Sequence, residues 1–249
     1  MLDQGHDQAA GLRRMLQQRP VNLLPLAVVR GQSTGWIAQL AGGLQELGRN
    51  PVVVDAARGA AASAFGLRPR GDLMDMLEGR ESFDNVAHRT REGVHVLRGD
   101  RGVEAFAASG EPPERLLAGF AALSHGFDDV LLAMPATEMA CMAAPADHAP
   151  VLAIESAGNG LMDSYSALKE LARSFGYRRF LCVVVGGHDA AAARGAFERI
   201  AATASRFVDV AADWAGWLPP ATSARARHEA ACAAQALVGY PPAPTVAFS

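Results

Sequence analysis

Seven short apolar runs rich in β-branched residues, separated by longer stretches of helical periodicity, constrain this chain more than any other feature. The runs are Val21–Val29, Val52–Asp55, Val94–Leu97, Val130–Met134, Val151–Ile154, Phe180–Val185 and Phe207–Val210. Continuous apolar runs, without alternation, predict strands buried on both faces, and helices between them are the connections a parallel sheet requires. The expected fold is therefore α/β, a doubly wound, mostly parallel sheet. Helices are predicted at Thr34–Leu47, Leu73–Glu78, Pro113–Ser124, Leu161–Phe175, Ala190–Ala204 and Ser223–Val238. A short helix over Asp7–Gln18, capped by Asp7 and stopped by Pro20, precedes the first strand as an appendage. The expected organisation is residues 1–20 as that appendage, 21–239 as one α/β domain, and 240–249 as a Pro-rich tail.

The most informative stretch joins the first strand to the first helix: Val28-Val29-Arg30-Gly31-Gln32-Ser33-Thr34-Gly35-Trp36. A strand, a glycine-bearing turn and a helix N-terminus is where α/β proteins bind phosphate, because free backbone N–H groups and the helix dipole both favour an anion. A phosphate-binding loop of the G-x-x-x-x-G-K-[ST] type also needs a lysine for the terminal phosphates. Of the 23 basic residues, all but Lys169 are arginine. Lys169 falls inside the predicted 161–175 helix, away from any glycine-rich turn, so the loop lacks its cation.

Gly31-Gln32-Ser33-Thr34-Gly35 also matches G-x-S-x-G, the nucleophile elbow of α/β-hydrolases. That reading would draft Asp128 or Asp129 as the acid and His188 as the base. Only one strand precedes Ser33, whereas the elbow ordinarily follows several. Asp55 closes its strand at the carboxyl edge, where it can orient a metal-bound water or cap the next segment. The 130–134 strand ends in alanine and methionine, where a magnesium-binding carboxylate would be expected in a phosphoryl-transfer enzyme. No metal site is predicted.

Composition removes other classes. A net charge of −3 with both signs interspersed gives no electrostatic footprint for nucleic acid. Cys141, Cys182 and Cys232 are far apart and without ligand-spaced histidines, which fits neither a zinc site nor a secreted disulfide framework. The polar N-terminus lacks a signal-peptide core and no apolar run suffices for a span, so a cytoplasmic location is expected.

Several segments resemble one family. Asp7-Gln8-Ala9-Ala10-Gly11-Leu12-Arg13-Arg14 resembles the DQAxxLR segment that opens the FlhG/FleN flagellar-number regulators, members of the MinD/ParA group of P-loop ATPases. Gln45–Ala56 is similar to the family's ELGRxVLLLDAD, Leu161–Lys169 to its ITDAYALIK, and Leu73–Gly79 to a short family helix. The resemblance runs from about residue 7 to about residue 210. It implies a MinD-like fold; the family uses ATP with magnesium, which this chain is expected to take only if its vestigial site still binds, so no cofactor is assigned. In the family ATP-driven dimerisation depends on a signature lysine that this chain lacks, so a homodimer is left open, and association with the membrane or cell pole is expected only indirectly, through partners.

The departures fall on the ATP chemistry. Aligned without gaps back from Glu46, Thr34 takes the place of the magnesium-binding threonine, Ser33 that of the phosphate-binding lysine, and Val28 that of the signature lysine. Ala57 and Ala133 stand where the family has aspartates. The resemblance thus implies a vestigial nucleotide site made of Arg30, Gly31, Ser33, Thr34, Gly35 and Asp55, with the protein's own ATPase lost. The family's membrane-binding amphipathic C-terminal helix is not matched by the alanine-dominated 223–238 segment, which is expected to pack on the sheet. The N-terminal pattern, by contrast, is kept. In the family it docks on the FlhF GTPase and stimulates GTP hydrolysis, so the resemblance assigns Gln8 the assisting role and Asp7, Ala9, Leu12 and Arg13 the docking surface. Two alternatives stay open at this stage: a retained ATP switch using Arg30 and the loop amides, and a hydrolase using Ser33.

Overall fold

The structure is a computed structural model that describes residues 21–110, 126–139, 149–156 and 158–239. The predicted helices at 7–18 and 113–124, and the 240–249 tail, lie outside the described residues.

The described chain forms one eight-stranded sheet in the order β3-β4-β2-β5-β1-β6-β7-β8. Its strands are β1 (Asn22–Val28), β2 (Pro51–Asp55), β3 (His88–Arg89), β4 (His95–Arg98), β5 (Asp129–Pro135), β6 (Val151–Glu155), β7 (Arg179–Val185) and β8 (Ala211–Leu218). Every pairing is parallel except that of β3 with β4. The helices are α1 (Gly35–Glu46), α2 (Ala60–Ala64), α3 (Leu73–Leu77), α4 (Phe83–Val86), α5 (Asp100–Ser109), α6 (Gly160–Phe175), α7 (Ala190–Val208) and α8 (Ala226–Val238).

Period-two alternation sends successive strand residues to opposite faces, and both faces are apolar. Leu24, Leu26, Val53, Leu131, Ala153 and Val183 face one core, covered by Ile37, Leu40 and Leu44 of α1 and by Ala230, Ala233 and Leu237 of α8. Val52, Val54, Leu132, Ile154, Cys182 and Val184 face the other, covered by Leu168 and Leu171 of α6 and by Phe197 and Ile200 of α7. The α8 helix therefore spends its small apolar stripe against α1 and β8, as its alanine-rich composition leads one to expect. It approaches α1 so closely that a Cβ on Gly43 would lie 2.3 Å from the Ala230 carbonyl oxygen.

The Phe207–Val210 strand expected from the sequence is a correction. Ala193, Phe197, Ile200, Ala204 and Val208 recur at helical spacing on the buried side of α7, so the helix runs through Val208 and ends at Asp209 with φ 56°. Phe207 is 60% exposed on that helix, with the Arg206 guanidinium over its ring. The strand begins at Ala211 instead and carries a bulge opposite Cys182 and Val183, with Ala215 as the extra residue. Its alanine and glycine content hid it from a reading based on β-branched residues. Among the described residues, no helix is long and apolar enough to cross a membrane.

Candidate functional site at the β1–α1 loop

The chain leaves β1 toward β2 on one side and returns from β5 to β6 on the other, so β1 stands at the point where the winding reverses. A crevice is expected beyond its carboxyl end. A cavity of about 740 Å³ is found there. The β1–α1 loop forms its floor with Val29, Arg30, Gly31, Gln32 and Thr34, the segment after β5 adds Ala136 and Thr137, the β2–α2 loop adds Ala57 and Arg58, and α6 adds Asp163, Ser166 and Glu170.

The loop is held by specific bonds. Gly31 turns with φ +85°, the left-handed geometry that favours glycine, and the Gln32 amide donates to the Val29 carbonyl at 3.2 Å. The Gln32 side chain reaches α6 and donates to the Ser164 hydroxyl at 2.9 Å. The Ser33 amide donates to Oε1 of Glu155, the last residue of β6, at 2.9 Å. The Gly35 amide donates to the Ser33 hydroxyl oxygen at 3.3 Å, which fastens the first turn of α1. Thr34, expected at a magnesium position, donates its hydroxyl to the Ala60 carbonyl at 2.7 Å.

Asp55 is completely buried and acts as a cap. Its oxygens accept from the Ala57 amide at 2.9 Å and the Ala62 amide at 2.6 Å, folding the segment after β2 back onto the strand end. Burial pushes its carboxyl above the ordinary range, against the lowering effect of these amides. The neighbouring Arg58 has φ 55°, unusual for a residue with a side chain. Its amide donates to Asp100 at 2.8 Å and its guanidinium to Glu138 at 2.6 Å, so the segments following β2, β4 and β5 are joined at this edge.

In this arrangement these groups are turned to the chain itself and not toward a nucleoside triphosphate with its magnesium. Three loop amides are already committed within the chain, the threonine hydroxyl is turned to α2, and Lys169 stands exposed within α6. Ala133 is buried within β5, two residues before its end, with no side-chain ligand atom and its carbonyl accepting the Ala56 amide at 2.8 Å. Among the described residues, no group of three or more His, Cys, Asp or Glu converges as a metal centre.

The hydrolase constellation is a second correction. Asp129 pairs in register with Asn22 at the start of β1, whereas Ser33 follows its end. Six strand steps of about 3.3 Å separate the two levels by roughly 20 Å. Asp129 is moreover held by Arg49, so Asp128, Asp129 and His188 do not assemble around Ser33. Sequence reasoning missed Glu155, Gln32 and Arg58. Only a register between β1 and β6 could have pointed to Glu155, and no local pattern carries that register.

Known proteins share this architecture. No family model matches the chain. It is 25% identical over 221 residues, covering 86% of this chain and 79% of the relative, to the antiactivator FleN of Pseudomonas aeruginosa. Its fold is similar to a chain of the MinC:MinD cell division protein complex of Aquifex aeolicus, with a TM-score of 0.61 at 17% identity over 89% of this chain and 97% of that one. It is also similar to MinD of Pyrococcus horikoshii complexed with Mg-ADP, with a TM-score of 0.53 at 15% identity over 86% and 95% of the two chains. The chain is thus similar in sequence to the antiactivator FleN and has the MinD-like α/β fold, an eight-stranded, mostly parallel sheet covered by helices on both faces.

Proposed function

We propose that this protein regulates flagellar number by contacting an FlhF-type GTPase through Asp7–Arg14 and stimulating its GTP hydrolysis, without an ATPase cycle of its own. The observation that carries this reading is the retention of Asp7-Gln8-Ala9 and Leu12-Arg13 ahead of β1, in a chain whose nucleotide loop has no lysine. Likeness to FleN supports the flagellar assignment, and that relative's designation as an antiactivator adds an activator protein as a second class of partner. Gln8 would assist at the partner's GTP, with Asp7, Ala9, Leu12 and Arg13 supplying the docking contacts. A glutamine suits this task because its amide can both accept from and donate to an attacking water.

The test is binding of the full chain to a purified FlhF-type GTPase, with the GTPase rate measured in parallel. Wild type is expected to bind and accelerate hydrolysis. Gln8→Ala is expected to bind yet lose the acceleration, and Leu12→Ala with Arg13→Ala to lose binding. Absence of both binding and rate change, with flagellar number unaltered in a Gln8→Ala strain, overturns the proposal. The cavity on the loop, with Arg30 on its wall, favours one second reading, a retained ATP switch. Arginine can reach a phosphate but not with lysine's geometry. Micromolar affinity for Mg-ATP by calorimetry, lost in Arg30→Ala, would establish that reading instead.

A further inference from the structure

We propose that Glu155 is a built-in anion: its carboxylate takes the place on the β1–α1 loop that a phosphate would need, and so holds the loop closed. The register of the sheet puts it there. Leu26 and Ala27 of β1 pair with Val151 and Leu152 of β6, so β6 outruns β1 by two residues and ends at Glu155, level with the turning loop. Its Oε1 accepts the Ser33 amide at 2.9 Å, immediately before the N-terminus of the twelve-residue α1. A carboxylate there gains from the helix dipole as a phosphate does, and the bond is charge-assisted.

A second observation is the close packing of α6 against residue 155. At the start of α6, a Cβ on Gly160 would lie 2.3 Å from the Glu155 Cβ and 3.0 Å from its Oε2. No residue other than glycine fits at 160 while Glu155 keeps this position. The loop is also tied to the same helix by the bond from Gln32 to Ser164, so β6 and α6 together draw it toward themselves. Charge works in the same direction. A polyphosphate entering the cavity would meet the carboxylates of Asp163 and Glu170, against Arg30 and an Arg58 already engaged by Glu138. The inference extends the account of the nucleotide loop but does not depend on the contact with an FlhF-type partner, and the two are tested by separate measurements.

The experiment is calorimetric titration of the full-length wild type, Glu155→Ala and Glu155→Gln with inorganic pyrophosphate and with Mg-ATP. Alanine keeps the Cβ that packs on Gly160 and removes the charge. Glu155→Ala is expected to bind pyrophosphate about tenfold more tightly than wild type or better, the size expected from releasing one solvent-accessible charge-assisted bond and its repulsion. Glu155→Gln, which keeps the shape but not the charge, is expected between them. Equal affinity in wild type and Glu155→Ala, including the case in which neither binds, overturns the proposal. So does tight binding by wild type. If Glu155→Ala does not fold, the Ser33 amide resonance decides: it should move upfield in Glu155→Gln, because a neutral amide oxygen is the weaker acceptor, and an unmoved resonance would overturn the assignment. GTPase stimulation in the partner assay should be the same in both variants as in wild type.

Discussion

Replacing Arg49 by alanine should cost about 3 kcal/mol of stability, although the residue is far from the loop. Asp129 is completely buried at the start of β5, and its carboxylate accepts from Arg49 Nε at 2.6 Å and Nη2 at 2.8 Å and from the Asn22 side chain at 3.1 Å. These bonds join the first residues of β1 and β5 to the turn that precedes β2, and the adjacent Asp128 carboxylate accepts the Asn50 amide at 2.9 Å. The hydrogen bond to Asp129 raises the Arg49 pKa against the cost of burial. Deleting the guanidinium strands an anion inside the protein, which typically costs about 3–5 kcal/mol. The Arg49 side chain retains 28% exposure, so water can replace part of what is lost, and the lower end applies. For a chain of this size about 3 kcal/mol corresponds to a fall in Tm of roughly 6–12 °C. Urea unfolding of wild type and Arg49→Ala, followed by circular dichroism, measures the difference directly. Arg49→Lys, which keeps the charge without the two-pronged geometry, should lose about half as much. The double variant Arg49→Met with Asp129→Leu should recover much of the loss by removing the stranded charge. A loss below about 1 kcal/mol in Arg49→Ala would refute the reasoning, since it would mean that Asp129 does not rely on the guanidinium.

Two further outcomes follow from the packing. Gly43→Ala should destabilise by about 2 kcal/mol despite alanine's better helix propensity, because the new Cβ would meet the Ala230 backbone, which cannot rotate away; a urea midpoint unchanged from wild type would show the α1–α8 seam to be slack. Burial raises the Asp55 carboxyl above its ordinary 3.8, so the native state holds its proton more tightly than the unfolded chain, and this group's contribution to stability falls as pH rises from about 4 through the native value. The stability advantage of wild type over Asp55→Asn should therefore shrink between pH 4 and pH 7, and an advantage that grew with pH would show that the capping amides outweigh burial.

Elements that bury both faces in sequence-local runs were legible before any coordinates. Val52 to Asp55, Val130 to Met134 and Val151 to Ile154 announce central strands because every residue is apolar or closes the strand, and the observed strands extend each by no more than a residue at either end. The strand at Ala211–Leu218 was not legible, since apart from Trp214 and Trp217 its residues are mostly alanine and glycine, with no β-branched run, and its place at the sheet edge is fixed by pairing with β7. The loop between β1 and α1 was legible as an element, because a strand, a turn with glycine and a helix are consecutive in the chain, and the structure places it along a cavity. What the loop does with its donors was not legible. Ser33 and Glu155 are separated by 122 positions, and Gln32 and Ser164 by 132, so only the register of β1 against β6 and the packing of α6 bring them together.

The division has a physical basis. Sequence alone decides what is local: periodicity, capping, the absence of a lysine near the turn, and the segments that resemble FlhG/FleN. Tertiary structure decides which groups share the crevice, because strands adjacent in the sheet are distant in the chain and their order follows from the winding. It also decides the role of each carboxylate. Asp55 becomes a cap and Asp129 a buried ion-pair partner, while Glu155 lies against the Ser33 amide. The same side-chain chemistry is directed to these different ends by burial, strand register and the nearest donor.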